Sequence, residues 1–257
     1  MDHVEFDGVT VDYELTSGSG QVVLLHARPF VTWYAPLIDA LSDHAVLSYR
    51  RSVPLDGRPF SIDDDASVCA RLLDHVGFDR PHVVGHSYGA LLALALARSR
   101  AVAVRSIALL EPAGSGLLDP AQATAGLAPL VELYRTRGPA VAAEQFLGVV
   151  LGEDARGQLD RHLPGAFDEA IANADQFFQV ELRAAAQWSF GPDDAAVVDQ
   201  PILNVIGTET VPRFVESAAM VQSLFPHAVR VELSGAGHLM MAQEPTAMAA
   251  RLAEFWG

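Results

Sequence analysis

The chain has 257 residues, of which 50% are hydrophobic and 19% are charged, so it can bury a large core. A formal net charge of −15 argues against binding to nucleic acids or anionic membranes, because both partners require a basic surface. The sequence contains no apolar run near the roughly 18 residues of a membrane span and no metal-ligand or nucleotide-binding motif. The acidic N-terminus lacks the features of a secretion signal, and the single cysteine, Cys69, cannot form an internal disulfide. We therefore expect a cytoplasmic protein that uses no metal and no cofactor.

The N-terminal part of the chain predicts strands that alternate with helices. Val9–Leu15 alternates apolar and polar residues, and turn-forming residues 16–20 join it to a fully apolar strand at 21–26, which together predict a hairpin. A strand that is apolar throughout is typical of burial on both faces of a sheet. The next predicted elements are a helix around 34–41, a strand at 45–49 and a helix from a cap at Ser61 to Val76.

The next strand leads directly into a G-x-S-x-G motif at Gly85–Gly89. A β-branched run precedes the motif, and an Ala/Leu run that ends near Arg98 follows it. This pattern is typical of a strand, a sharp turn and a helix, with Ser87 at the apex of the turn. The two glycines would let the strand and the helix approach closely. The motif alone leaves two interpretations open, a nucleophilic serine or an ordinary serine cap of a helix.

Strand-like and helical patterns continue beyond this turn. Val104–Leu110 predicts another buried strand, and Glu111 should be extended because it precedes a proline. Residues 115–196 contain helical patterns without strand-like runs, whereas the β/α alternation returns after them. The returning elements are a strand at 201–207, a helix at 213–224, a strand at 228–233 and a helix at 241–256.

The alternation of strands and helices predicts an α/β fold with a mostly parallel sheet that is covered by helices on both faces. We expect residues 1–114 and 197–257 to form this core. Residues 115–196 are expected to form a helical cap over the carboxyl edge of the sheet, where ligands bind in such folds.

A nucleophilic serine requires a base, and His238 is the best candidate. It ends the segment Ser234–His238, directly after the last predicted strand, where two glycines let the loop carry the imidazole back over the sheet. His26 and His86 should also lie close to Ser87. A structural hydrogen-bonding role suits each of them better, because a triad uses a single base.

Taken together, these features resemble the α/β-hydrolase superfamily over essentially the full chain. The resemblance is carried by the His26 loop, the Gly85–Gly89 turn, the helical segment and the His238 loop. It implies an α/β-hydrolase fold with an inserted cap, and a serine hydrolase that works through an acyl-enzyme. The superfamily does not specify the substrate.

The third member of the expected triad departs from the common pattern of the superfamily. Most members carry Asp three residues beyond a glycine after the penultimate strand, where this chain has Thr210. Glu209 lies one residue earlier and is one substitute. Glu111 is the other, at the acid position that haloalkane dehalogenases and fungal zearalenone lactonases use. We favour Glu111, because a carboxylate after a buried strand is costly unless it is paired.

The resemblance also implies an oxyanion hole with two backbone N–H donors. One is the amide of Tyr88, the residue after the nucleophile. The other is the amide of Arg28, where Ala27 replaces the glycine that is usual in the family. The side chain of Arg28 could be a solvated charge or could contact a carboxylate of the substrate.

Aromatic residues of the predicted cap indicate a mostly apolar pocket. We expect Trp188, near the return of the cap to the core, and Met240, beside the His238 loop, to contact the substrate. The predicted function is hydrolysis of a carboxylic ester or lactone of a hydrophobic small molecule, with no nucleic-acid or membrane partner; the sequence does not indicate an oligomeric state. A thioesterase, a C–C hydrolase or a non-hydrolytic tailoring enzyme for natural products could use the same triad. A ligand receptor with a vestigial triad is a further alternative.

Overall fold

One eight-stranded sheet forms the centre of the computed structural model, which describes residues 1–117 and 119–257. Its strand order is β1-β2-β4-β3-β5-β6-β7-β8. The strands are β1 (Asp2–Phe6), β2 (Val9–Leu15), β3 (Gly20–Leu25), β4 (His44–Ser52), β5 (His82–His86), β6 (Ser106–Leu110), β7 (Ile202–Gly207) and β8 (Val229–Leu233). The pairs β1–β2 and β2–β4 are antiparallel, and the other neighbours are parallel. The predicted α/β fold with a mostly parallel sheet is therefore confirmed.

The hairpin predicted between 9–15 and 21–26 is wrong. Strand β2 pairs with β1 and β4, whereas β3 lies between β4 and β5. The true hairpin partner of β2 is β1, which the sequence reading missed. Asp7 and Gly8 form the turn between them, with φ values of 52° and 80°. An Asp-Gly pair is a strong hairpin signal, because its residues tolerate positive φ.

Helices flank the sheet, and a helical insertion separates β6 from β7. The α-helices are α1 (Ala35–Ala40), α2 (Ile62–His75), α3 (Tyr88–Ser99), α4 (Pro120–Arg137), α5 (Pro139–Leu151), α6 (Ala155–His162), α7 (Ala166–Ala172), α8 (Ala174–Gln176), α9 (Leu182–Gln187), α10 (Pro192–Ala195), α11 (Pro212–Leu224), α12 (Met240–Gln243) and α13 (Pro245–Trp256). Short 3-10 helices cover Arg28–Tyr34 and Gly114–Leu117, and a π-helical turn covers Phe177–Glu181. None of the described helices has the length and apolar character that crossing a membrane requires.

The turn between β5 and α3 depends on two close backbone approaches. A Cβ atom on Gly85 would lie 2.3 Å from the carbonyl oxygen of Gly89. A Cβ atom on Gly89 would lie only 1.9 Å from the carbonyl oxygen of Leu25 at the end of β3. Larger residues cannot occupy either position without moving the backbone. These glycines therefore set how tightly α3 packs against the ends of the central strands.

Candidate active site

Ser87 stands at the sharp turn between β5 and α3 in a strained backbone conformation. Its φ and ψ angles are 54° and −114°, and positive φ is rare for a residue with a Cβ atom. The Ser87 N–H donates to the carbonyl of Leu110 at 3.0 Å, and the Ala113 N–H donates to the carbonyl of Ser87 at 3.1 Å. Such strain persists only where neighbouring bonds fix the backbone. The end of β6 supplies those bonds here.

Glu111 follows β6 and has a φ of 42°, so the prediction that it is extended is wrong. The chain turns at this residue, and the Glu111 N–H donates to the carbonyl of Val205 on β7 at 3.1 Å. This turn directs the side chain toward the ends of β7 and β8. The Glu111 carboxylate is fully buried, and its Oε1 accepts a hydrogen bond from the Gly207 N–H at 2.9 Å.

His238 and Glu111 form a buried pair at the carboxyl edge of the sheet. The Nδ1 of His238 lies 2.7 Å from Oε2 of Glu111. The imidazole is held between two rings, with Phe214 stacked at a centroid distance of 3.9 Å and His86 at 4.3 Å. Glu209, the other candidate acid, is exposed. The structure therefore brings Glu111, and not Glu209, to the imidazole.

Burial sets the electrostatics of this pair. It raises the pKa of Glu111, against the opposing effect of the hydrogen bond from the Gly207 N–H. Burial, together with the positive charge of Arg213, lowers the pKa of His238, while an ionised Glu111 acts in the opposite direction. The imidazole is therefore neutral at neutral pH. With its Nδ1–H donating to Glu111, its Nε2 keeps a lone pair that can accept a proton.

The Ser87 hydroxyl makes no hydrogen bond with His238 among the contacts of the described residues. Hydrogen bonds between a nucleophile and its base are often open without substrate and close when substrate binds. Ser87 lies instead on the wall of an apolar cavity, and His238 borders a second, polar cavity. The ring of His86, the residue before Ser87, lies 4.3 Å from that of His238 between centroids, so the imidazole lies beside the Ser87 turn.

The apolar cavity has a volume of about 250 Å³ and a mostly apolar wall. Ser87 and Tyr88 lie on this wall, together with the predicted cap aromatics Phe146 and Phe177. Polar residues also contribute, among them Ser115, Gln122, Arg213 and Glu216. The composition suits an apolar ligand with few polar groups.

Neither predicted substrate contact lies on the wall of this cavity. Trp188 is buried, its ring lies 5.6 Å from that of Phe190, and the Arg98 guanidinium lies 5.3 Å from its centroid. Met240 begins helix α12 and is fully buried. Both side chains belong to the hydrophobic core.

The two predicted oxyanion donors differ in their surroundings. Tyr88 begins α3 next to Ser87, as the resemblance implies. The Arg28 N–H, however, donates to Oε1 of Glu181 at 2.8 Å. The Arg28 side chain is half-buried and does not line the apolar cavity; it donates to Asn173 and, at 3.1 Å, to Ser52. The expected second donor is therefore held by a carboxylate of the helical insertion.

The second cavity, of about 360 Å³, is predominantly polar. It borders His238 and is lined by Glu209 and Thr210 from the loop after β7 and by Gln158 and Arg161 from α6. A polar cavity of this size can hold several ordered waters. Water could thus reach the side of the site that carries the imidazole.

The sequence reading missed three residues of this site. Phe214 stacks on the imidazole, and the positive charge of Arg213 lowers the pKa of His238. Nothing in the local sequence pattern of α11 distinguishes these two residues. The sequence does contain a signal that could have identified Glu181. It is the only charged residue in the run Phe177–Leu182, which is otherwise apolar or uncharged. A buried acid in such a run requires a partner from elsewhere in the fold.

Known proteins share the fold of this chain. A family model described as the alpha/beta hydrolase family matches residues 22–251. No protein of curated function matches the sequence significantly. A thermophilic esterase from Thermogutta terrifontis superposes with a TM-score of 0.84 at 18% identity, covering 99% of this chain and 98% of that chain.

Two further solved structures show how widely this fold is used. An enol-lactonase from Burkholderia xenovorans has a TM-score of 0.83 at 19% identity, covering 99% of each chain. A meta-cleavage product hydrolase, CumD, has a TM-score of 0.68 at 17% identity, covering 99% of this chain and 97% of that chain. At these identities the likeness establishes the fold.

Proposed function

On the premise that the chain belongs to the alpha/beta hydrolase family, we propose that it is a serine hydrolase for a carboxylic ester or lactone of a hydrophobic small molecule. The observation that carries this proposal is the buried 2.7 Å contact between His238 and Glu111 beside the strained turn of Ser87. An oriented base next to a half-buried serine on a cavity wall is the arrangement that acyl transfer requires. The helical insertion, residues 115–196, acts as the cap over this site.

The proposed reaction has two stages. In the first, His238 Nε2 takes the Ser87 proton while the serine oxygen attacks the carbonyl carbon, and the Tyr88 N–H stabilises the oxyanion. The tetrahedral intermediate collapses, His238 gives the proton to the leaving alcohol, and Ser87 keeps the acyl group. In the second stage, His238 takes a proton from water as the water oxygen attacks the acyl-enzyme; the new tetrahedral intermediate then collapses, His238 returns the proton to the Ser87 oxygen, and the acid product leaves. Glu111 holds the imidazole in the tautomer that both stages need.

The size of the apolar cavity supports a small substrate. Its volume of about 250 Å³ is below the range of about 300–1,000 Å³ that ligand pockets usually occupy. We therefore expect short acyl chains or small lactones to be better substrates than macrolactones. The polar cavity beside His238 would supply the water of the second stage.

A covalent probe tests this proposal directly. A fluorophosphonate should label the wild-type protein on Ser87, which peptide mass spectrometry locates. Ser87→Ala should lose both the adduct and the hydrolysis of aryl acetates and butyrates. Ser223→Ala is the matched control, because Ser223 is an exposed serine on α11 that lines neither cavity, and this variant should leave both unchanged. Labelling that persists in Ser87→Ala, or wild type that neither labels nor hydrolyses any ester, would reject the proposal.

A further inference from the structure

Glu181 connects the cap to the backbone of the proposed oxyanion hole. It ends the π-helical turn Phe177–Glu181 and is 3% exposed. Its Oε1 accepts from the Arg28 N–H at 2.8 Å and from Arg51 Nη2 at 2.6 Å, whereas its Oε2 is buried without a partner among the described residues. A π-helical turn is rare and occurs frequently at functional sites.

The charges around Glu181 do not require it to be ionised. Arg51 on β4 already forms an ion pair with Asp65 on α2, at 2.7 Å, and the Tyr88 hydroxyl on α3 donates to the same carboxylate at 3.0 Å. The charges of Arg51, Asp65 and an ionised Glu181 therefore sum to minus one, which only the half-buried guanidinium of Arg28, not in a salt bridge with Glu181, offsets. Burial, with a smaller effect from Asp65, raises the pKa of Glu181 to about 7, although Arg51 and the amide and guanidinium of Arg28 oppose the shift.

We propose that Glu181 is a positioning residue that controls the second oxyanion donor, holding the Arg28 N–H when ionised and releasing it to the substrate when protonated. This inference rests on the proposed serine hydrolase function. An ionised carboxylate accepts a hydrogen bond about twice as strongly as a neutral carbonyl does. The developing oxyanion therefore competes for the amide much better when Glu181 is neutral.

The consequence is an unusual dependence on pH. Below about pH 7 Glu181 is neutral, the Arg28 amide is available, and two donors stabilise the oxyanion. Above that pH the carboxylate retains the amide, so kcat/KM should fall by up to about tenfold per pH unit, following the protonated fraction. Protonation of a histidine base changes kcat/KM in the opposite direction, because it lowers kcat/KM as pH falls. Since the pKa of His238 is lowered, its titration lies on the acid side of this range.

The pH profile of kcat/KM tests the inference with a matched pair of variants. Glu181→Gln removes the titration, so the fall above about pH 7 should disappear and kcat/KM near pH 9 should exceed wild type by at least about tenfold. Glu169→Gln is the control. Glu169 also ties the cap to the core, through Arg50 and Thr32 at 2.7 Å each, but touches no oxyanion amide. That variant should keep the wild-type profile.

The results separate this inference from the proposed function. If Ser87 is labelled by the fluorophosphonate while wild type shows no alkaline fall, or Glu181→Gln retains that fall, the role of Glu181 is rejected and the hydrolase stands. If Ser87 is not labelled at any pH, the proposed function itself fails. Should Glu181→Gln not fold, the wild-type profile between about pH 6 and 9 still decides, because the fall must be present there.

Discussion

Replacing Glu111 by Gln should disable the imidazole while leaving its surroundings in place. The Gly207 N–H donates to Oε1 of Glu111, so a glutamine keeps its carbonyl oxygen at that position. Its NH2 group then replaces Oε2 and faces Nδ1 of His238, which lies 2.7 Å away. Because the amide can only donate there, Nδ1 must accept, and the proton of the neutral ring moves to Nε2. The imidazole then cannot take a proton from Ser87.

The expected loss in kcat is about 10⁴-fold, or about 5 kcal/mol of transition-state stabilisation, as for the same wrong tautomer in serine proteases. Stability should change little, because the variant preserves side-chain volume and the hydrogen bond from Gly207. Burial raises the pKa of Glu111, so the folded state gains little from its charge. We expect the melting temperature to stay within about 2–4 °C of wild type, the shift that 1 kcal/mol produces at this chain length.

Initial rates on an aryl ester, with melting curves measured in parallel, test this prediction. Glu209→Gln is the matched control, since Glu209 is exposed in the loop after β7, and its kcat should stay within about twofold of wild type. A Glu111→Gln variant that is folded and retains more than about a tenth of wild-type kcat would refute the reasoning. So would a larger loss in Glu209→Gln.

Further predictions concern the acid limb of the pH profile and the packing of the chain. The acid limb of kcat/KM should lie below the ordinary histidine pKa of about 6.5, because the lowered pKa keeps the His238 base neutral as pH falls. Arg213→Gln removes a positive charge that lowers this pKa, so the limb should move to higher pH; an unchanged limb would contradict the assignment. Gly89→Ala places a Cβ 1.9 Å from a backbone oxygen and should abolish soluble expression or lower stability by several kcal/mol, about 3 or more. Gly148→Ala, in helix α5 with open space around the new methyl, should gain up to about 1 kcal/mol in chemical denaturation.

Elements with local chemical signals could be predicted from the sequence. The glycines at 85 and 89 indicate a close approach of strand and helix, and the structure has both contacts. The predicted cap of α2 is also present, since Ser61 and Asp64 exchange two hydrogen bonds at 2.8 and 3.1 Å. In each case the residues that determine the geometry lie within a few positions of each other.

Features that depend on distant partners could not be predicted in this way. The alternation in β2 indicates a strand, but its neighbour β4 is set by long-range pairs such as Val11 with Arg51. Residues before proline usually have an extended backbone, but Glu111 departs from this rule. Its N–H donates to the carbonyl of Val205 on β7, a distant partner that the local sequence does not show. The Arg28 amide could be assigned to the oxyanion hole, but its actual acceptor, Glu181, lies on a different element.

The proposed role of Glu111 as the catalytic acid also predicts which chimaeras of this chain with related proteins should be active. Ser87 and Glu111 belong to one β–α–β unit, β5-α3-β6, whereas His238 follows β8, beyond the helical insertion. In most proteins that this chain resembles, the acid follows the penultimate strand, which is β7 here. A chimaera that joins the first half of this chain to the second half of such a protein, with the crossover in the insertion, inherits two acids. The reciprocal chimaera inherits none, so shuffled libraries should yield active enzymes in one orientation only.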